Sequence, residues 1–380
     1  MKRIIKIGMD VHSTNFTLCA LECLFEEDDR ILMELQVSPD YKLILAFIER
    51  LKQKYHLDTD TDIVCGYEAG CLGFSLYNQL TRANVKCVIL APSTMSAPKG
   101  KRIKTDTRDA RMIAQCLANK NSYHAVHIPT KEDHAVKEYI RMRDDHKEAL
   151  KKIKQQINAF CLLHGFHYDR SKWTIAHRRW LRRLDFDDTL LQEVLDEYLV
   201  TYDQLTDKIQ RLDERIEELS RQSQYDEKVG NLKCFCGIKT TTALSVVVET
   251  GDFDRFKGAR SYAAFLGLVP GESSSADSIN RTGITKTGNA HLRRLLIEAA
   301  QSICRGEIAH KSKELKARQA GHSAEVIAYA DKAAQRLRRK YYRYIRHGKK
   351  HNVAIAAVAR ELACFIWGMM TDHIYQRATA

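Results

Sequence analysis

Four acidic side chains have the types and spacing of a cation site. Asp10 closes the β-rich run Ile4-Ile5-Lys6-Ile7-Gly8-Met9-Asp10, and Glu68 closes Asp62-Ile63-Val64-Cys65-Gly66-Tyr67-Glu68. Asp106 and Asp109 lie three residues apart in Lys104-Thr105-Asp106-Thr107-Arg108-Asp109-Ala110, which puts both on one face at a helix start. Each acid alone has an ordinary structural reading, as a helix cap, a dipole partner or a turn residue. Together they offer hard oxygen donors suited to Mg2+ or Mn2+. Two such ions about 4 Å apart stabilise both the attacking and the leaving oxygen of a phosphodiester displacement. Around the D-x-x-D stand Lys99, Lys101, Arg102, Lys104, Arg108 and Arg111, a setting for a phosphate backbone rather than a neutral metabolite.

Two further segments carry chemistry. Gly267-Leu268-Val269-Pro270-Gly271-Glu272-Ser273-Ser274-Ser275-Ala276 is followed by Gly283-Ile284-Thr285-Lys286-Thr287-Gly288-Asn289-Ala290-His291-Leu292-Arg293-Arg294. From the residues alone this is a serine-rich loop leading into a helix. Its first backbone amides, with Lys286, Arg293 and Arg294, are placed to hold phosphate; a solvated loop and cap is the competing reading. The stretch Lys332–Lys350 holds Lys332, Arg336, Arg338, Arg339, Lys340, Arg343, Arg346, Lys349 and Lys350 with no acid, interleaved with Tyr341, Tyr342 and Tyr344. Arg338, Arg339 and Arg343 are its expected backbone contacts, with the tyrosines stacking on bases; a solvated helix face is the alternative. Cys234 and Cys236 form a C-x-C without a second pair at zinc spacing, so no zinc site is expected there.

The elements that must position these residues fall into three stretches. Residues 1–128 read as α/β, with strands and helices in alternation. Residues 129–228 are nearly free of Gly and Pro. There Leu191, Leu195, Tyr198, Tyr202, Leu205, Ile209, Leu212, Ile216 and Leu219 alternate 4 and 3 apart, the spacing of a coiled-coil seam. Either a helical hairpin or a dimer coil satisfies it, and self-association through this seam is expected. Residues 229–380 read as mostly helical. The chain has 380 residues, 44% of them hydrophobic, so global disorder is excluded. Sixty-one Lys+Arg against 48 Asp+Glu leave +13, which points to a polyanion such as nucleic acid. Eleven scattered cysteines read as free thiols of a reducing, cytoplasmic compartment. No signal peptide is legible, and the apolar stretch Val353–Met370 holds Arg360-Glu361 at its centre, so it reads as a core helix with no membrane partner.

A mixed sheet with acids at two strand ends and a D-x-x-D helix is the pattern of ribonuclease-H-like folds. The whole series of motifs resembles the DEDD insertion-sequence transposases of the "one-ten" family, relatives of the Piv-type DNA invertases. The residues that carry the likeness are Gly8-Met9-Asp10-Val11-His12, Tyr67-Glu68-Ala69, Lys104 to Ala110, Glu249-Thr250-Gly251-Asp252-Phe253, Phe265 to Pro270 and Gly283 to Asn289. Around Cys236-Gly237-Ile238 the chain matches the family's helix-hairpin-helix-like entry, with Cys236 where proline is usual.

The resemblance implies a RuvC-like DEDD domain (1–128), a coiled-coil helical linker (129–228) and a C-terminal transposase domain with a catalytic serine (229–380). It implies a DNA recombinase of the bacterial or archaeal nucleoid, guided by a structured non-coding bridge RNA. Donor and target DNA would be its substrates, and a dimer or a synaptic tetramer its assembly. The metal-binding tetrad carries over to Asp10, Glu68, Asp106 and Asp109. The serine, five residues past the proline, carries over to Ser275; here Ala276 follows it where glycine is normal, and Ser274 is the second choice of register. A water-using RuvC-like nuclease and a non-enzymatic nucleic-acid scaffold are the competing readings.

Overall fold

The computed structural model describes residues 3–24, 28–70, 72–95, 105–119, 122–272, 281–307 and 310–374. It divides into two compact units, Met1–Ile128 and Pro129–Ala380.

The first unit is built on a sheet of β1 (Ile4–Val11), β2 (Phe16–Cys23), β3 (Arg30–Val37), β4 (Asp62–Glu68) and β5 (Lys86–Leu90). Its order is β3-β2-β1-β4-β5: β2 and β3 extend β1 antiparallel, and β4 and β5 extend it parallel. This arrangement is compatible with the expected RuvC-like domain. Strand alternation assigns the faces. Ile5, Ile7 and Met9 are fully buried and belong to the same core as Ile44, Phe47 and Leu51 of α1 (Tyr41–Lys54). That core also takes Leu76 and Leu80 of α2 (Ser75–Arg82). The opposite face lies under α3 (Asp106–Ala118), whose Ala110 and Ala114 pack with Cys19 and Leu21. Glycine at position 8 is what lets α3 lie so close. A Cβ there would stand 2.1 Å from the Ala110 carbonyl oxygen and 2.3 Å from the Ala114 nitrogen.

The second unit opens with α4 (Lys131–Leu163), α5 (Ile175–Leu181) and α6 (Thr189–Ser220). Helices α4 and α6 run antiparallel as a hairpin. Arg143 pairs with Asp213 near one end, and Ile157 and Cys161 share a core with Leu195 and Leu199 toward the other. The 4-3 seam therefore faces α4 of the same chain, with Leu195 and Ile216 wholly buried. Of the two arrangements the spacing allowed, the structure shows the hairpin within one chain.

Beyond the hairpin come α7 (Asp226–Lys233), α8 (Thr240–Thr250), α9 (Ala259–Phe265), β6 (Pro270–Glu272), β7 (Arg281–Ile284), α10 (Ala290–Arg305), α11 (Lys313–Gln319), α12 (Ala324–Arg346) and α13 (His351–Met370). The hairpin base, through Val136, Ile140 and Ile216, shares one core with these helices. Helix α13 is long and apolar enough to cross a bilayer, but its Ile355, Val358, Leu362 and Ile366 are buried in that core. Within the expected loop 270–289, β6 and β7 form an antiparallel pair that joins Pro270 to Ile284 and Glu272 to Arg281. Every cysteine among the described residues is free.

Candidate metal centre and buried polar network

Asp10 and Glu68 are brought level by sheet register. Strands β1 and β4 pair in parallel up to Met9–Tyr67, and each acid is the next residue on its strand. Asp10 has the parity of Gly8 and Glu68 that of Gly66, whose added Cβ would meet Leu117 of α3. Both acids thus lie on the α3 face of the sheet. Thr105 caps α3, its hydroxyl accepting the Arg108 N–H, and sets Asp106 and Asp109 in the first turn. Arg111 grips Glu34 of β3 through two 2.6 Å hydrogen bonds, which fixes α3 across the sheet. Arg111 is therefore spent on the fold rather than on phosphate.

Asp10, His12 and Asp106 converge, with one ligand atom from each lying within 4.8 Å of the others. His12 Nε2 stands 3.3 Å from Asp10 Oδ2, and Asn15 Nδ2 donates to Asp106 Oδ2 at 3.3 Å. Asp10 Oδ2 is buried with no hydrogen bond of acceptable geometry. Burial holds the Asp10 carboxyl above its ordinary value; His12 opposes this, and the Asp109 and Asp106 charges add to the rise. A buried, crowded oxygen with no well-formed hydrogen bond among the described residues is what a divalent cation would satisfy, so the residues present fit such an ion. Glu68 is exposed at the strand end.

The second unit contains a charge network inside its helices. Glu249 of α8 is only 4% exposed in its side chain and is clamped by Arg141 of α4 at 2.8 and 3.0 Å. Asn289 donates to the same carboxylate at 2.9 Å, while its own Oδ1 caps α10 through the Leu292 N–H at 3.0 Å. Burial would raise the Glu249 carboxyl, but the hydrogen bonds from Arg141 and Asn289 outweigh it and hold it low. Nearby, Asp144 accepts from Arg143 and Arg294, with His291 3.8 Å away. Burial lowers the His291 pKa, and its Nε2 has no hydrogen-bond partner among the described residues.

This network corrects several expectations. Arg294 is paired with Asp144 and Glu298, and Arg293 donates to the Leu266 and Thr287 carbonyls at 2.9 and 2.8 Å. Both are engaged by groups of the fold around the α10 start. Arg338 is 5% exposed and caps loose carbonyls of Ile303, Glu307 and His310, so it is a structural residue and not a backbone contact. Lys286, Arg339 and Arg343 are exposed, as is Arg108 in the first turn of α3. Lys101, Arg102, Lys104, Ser274 and Ser275 lie outside the described residues; β6 and β7 pair on either side of the stretch that holds the serines.

Sequence reading assigned no role to His12, Asn15, Arg141 or Glu249. The available signal for the last two was Arg141-Met142-Arg143-Asp144, charges crowded on a helix whose neighbours are apolar.

A five-stranded mixed sheet on which Asp10 and Asp106 converge, followed by a helical unit, is compatible with the DEDD transposase class. Residues 7–167 match the family model for the DEDD transposase domain of the IS110 type, and residues 230–315 match the model described as Transposase IS116/IS110/IS902 family. The chain is 34% identical over 307 residues to a putative transposase, y4qE, of Sinorhizobium fredii, covering 80% of this chain and 75% of the relative. It is 31% identical over 350 residues to the transposase for insertion sequence element IS1533 of Leptospira borgpetersenii, covering 90% and 96%. With the transposase for element IS1111A of Coxiella burnetii the identity is 24% over 312 residues, covering 80% and 79%. The chain belongs to the IS116/IS110/IS902 family of insertion-sequence transposases, enzymes that cleave and rejoin DNA.

Proposed function

We propose that this transposase recombines DNA through a covalent phosphoserine intermediate, with divalent-metal assistance from Asp10, Glu68, Asp106 and Asp109, and under the guidance of a structured bridge RNA. The observation that carries the metal reading is the orphaned, buried Oδ2 of Asp10 facing Asp106 and His12. A bound Mg2+ or Mn2+ would supply charge neutralisation at the scissile phosphate and a lowered pKa for the attacking hydroxyl.

The chain's own residues do the remainder. Ser275, or Ser274 in the neighbouring register, carries the nucleophile. Its oxygen attacks phosphorus, the serine O–P bond forms, and the P–O bond to the departing strand breaks. The serine proton is given up and the departing strand is capped as a free hydroxyl. Reversal by a new strand's hydroxyl rejoins DNA and restores the serine, so no external energy source is consumed. Exposed Lys286, Arg339 and Arg343 contact nucleic-acid backbone, as do Arg108 and, just before it in the sequence, Lys101, Arg102 and Lys104.

The test is to incubate the protein with target DNA and the RNA from the element's flanks, then map the DNA-linked peptide by mass spectrometry. The link is expected at Ser275, lost in Ser275→Ala and in Asp10→Asn, with DNA and RNA binding retained. Full cleavage by a Ser274→Ala, Ser275→Ala double variant would make the protein a water-using nuclease instead. Cleavage that proceeds without RNA would remove the guidance.

A further inference from the structure

We infer that His12 is a ligand of the cation held by Asp10 and Asp106, and that this nitrogen makes the centre favour Mn2+ over Mg2+. The inference rests on the metal reading above and adds the donor set and the metal it selects.

Geometry is the first argument. Two donors at right angles around one ion, each about 2.2 Å from it, stand about 3.1 Å apart. His12 Nε2 and Asp10 Oδ2 are separated by 3.3 Å, and Asp106 completes a trio whose ligand atoms all lie within 4.8 Å of one another. The His12–Asp10 separation is the spacing of neighbouring corners of one coordination sphere, and Asp106 lies close by. Asp10 Oδ2 is buried and makes no well-formed hydrogen bond, so its lone pairs have no other partner among the described residues.

Local structure is the second argument. β1 ends at Val11, and His12 donates its backbone N–H to Asn15 O at 2.9 Å, closing a tight turn into β2. The turn leaves His12 Nε2 3.3 Å from Asp10 Oδ2, on the side of the sheet where Asp10 lies. The turn also delivers Asn15, whose amide holds Asp106 from the outside at 3.3 Å. An amide on a ligating carboxylate is the usual outer support of a metal centre, because it fixes the oxygen's direction.

Donor chemistry is the third. Mg2+ favours an all-oxygen shell and gives up its waters reluctantly, whereas an imidazole nitrogen is readily taken by first-row transition ions. A His/Asp/Asp set therefore discriminates for Mn2+ at this position. If His12 were only a counter-ion to Asp10, it would hold no metal and confer no such preference.

The experiment uses the full chain and Mn2+ alone, read by electron paramagnetic resonance. Wild-type protein is expected to bind Mn2+ and to show the 14N modulation of a directly bound imidazole in pulsed spectra. His12→Gln should lose that modulation and bind Mn2+ at least about tenfold more weakly. Its Mg2+ affinity, read by competition, should change less than twofold. His12 is half exposed, so the variant has no core to lose, and circular dichroism checks that it folds. Mn2+ bound through Asp10 without 14N modulation, or modulation that survives His12→Gln, overturns the assignment of His12 and leaves the carboxylate site standing. Mn2+ that does not bind, or that binds equally to Asp10→Asn, overturns both.

Discussion

Replacing Arg141 by methionine should destabilise the second unit in a pH-dependent way. Glu249 is 4% exposed, and Arg141 supplies two of its three hydrogen bonds, at 2.8 and 3.0 Å, with Asn289 supplying the third. Removing one partner of a buried pair costs roughly 3–5 kcal/mol. The Arg141 side chain is itself 42% exposed, so water can reach part of the gap, and the cost falls to about 2–3 kcal/mol. For a unit of this size that lowers the melting temperature by about 4–10 °C. All three tryptophans, Trp173, Trp180 and Trp367, lie in the second unit, so their fluorescence during denaturant unfolding reports it selectively. In the wild type the Glu249 carboxyl is held low despite its burial. A depressed carboxyl contributes stability above its unfolded value, near 4.3, and that contribution is lost as pH falls through the folded value. Without Arg141 the burial that opposes ionisation dominates and the folded value rises above the unfolded one. The variant then gains relative stability on acidification, and its deficit should shrink between pH 7.5 and 5. Adding Glu249→Gln should recover much of the loss, with a coupling of about 1.5–3 kcal/mol. A deficit that grows toward acid, or a coupling under about 0.5 kcal/mol, would refute the reasoning.

Gly8→Val should unfold the first unit at lower denaturant by at least about 2 kcal/mol, because its side chain meets the α3 backbone; it should also weaken Mn2+ binding as Asp106 moves with α3. Arg338→Met should lower stability and leave the salt dependence of nucleic-acid binding unchanged, since its hydrogen bonds go to Ile303, Glu307 and His310. Arg339→Gln with Arg343→Gln should do the reverse, reducing the slope of log affinity against log salt by about one unit per residue, as measured by fluorescence anisotropy. Ile216→Ala, in the hairpin seam, should cost about 2–5 kcal/mol and leave the light-scattering mass unchanged, since the residue is buried within its own chain.

The first unit was largely legible because its sequence is locally consistent. β1 alternates apolar Ile5, Ile7 and Met9 on one face with Lys6, Gly8 and Asp10 on the other, and a D-x-x-D opens a helix with Thr105 before it. Period and cap chemistry are local, so one sequence suffices to read them. The hairpin was legible as a seam but not as a partner choice, since a 4-3 repeat states what a helix must bury and not against whom. The short pair β6–β7 was hidden because a three-residue strand has too few alternations to register. Arg338 was misread for the same kind of reason. In Arg336 to Lys340 the basic run crosses a whole helical turn, and only the core decides that Leu337 and Arg338 point inward while Arg339 does not.

That last case bears on how a net charge of +13 should be interpreted. Ion pairs such as Arg111–Glu34, Arg141–Glu249, Arg143–Asp213 and Arg294–Asp144 remove one charge of each sign, so they leave the surplus untouched. What they change is its address. A guanidinium gripped by two hydrogen bonds to a carboxylate has little left for phosphate, and releasing it would strand a partly buried acid. The surplus must then act through cations that are exposed, such as Lys286, Arg339, Arg343, Arg346, Lys349 and Lys350. Counting basic residues predicts that a polyanion binds; subtracting those bound internally predicts where. Salt-slope changes on single neutralisation should follow the second count: near zero at Arg294 and Arg338, and near one at Arg339 and Arg343. Equal slopes at all four positions would show that the internal partners yield when nucleic acid arrives, and the network around Glu249 and Asp144 would then be a docking surface rather than a frame.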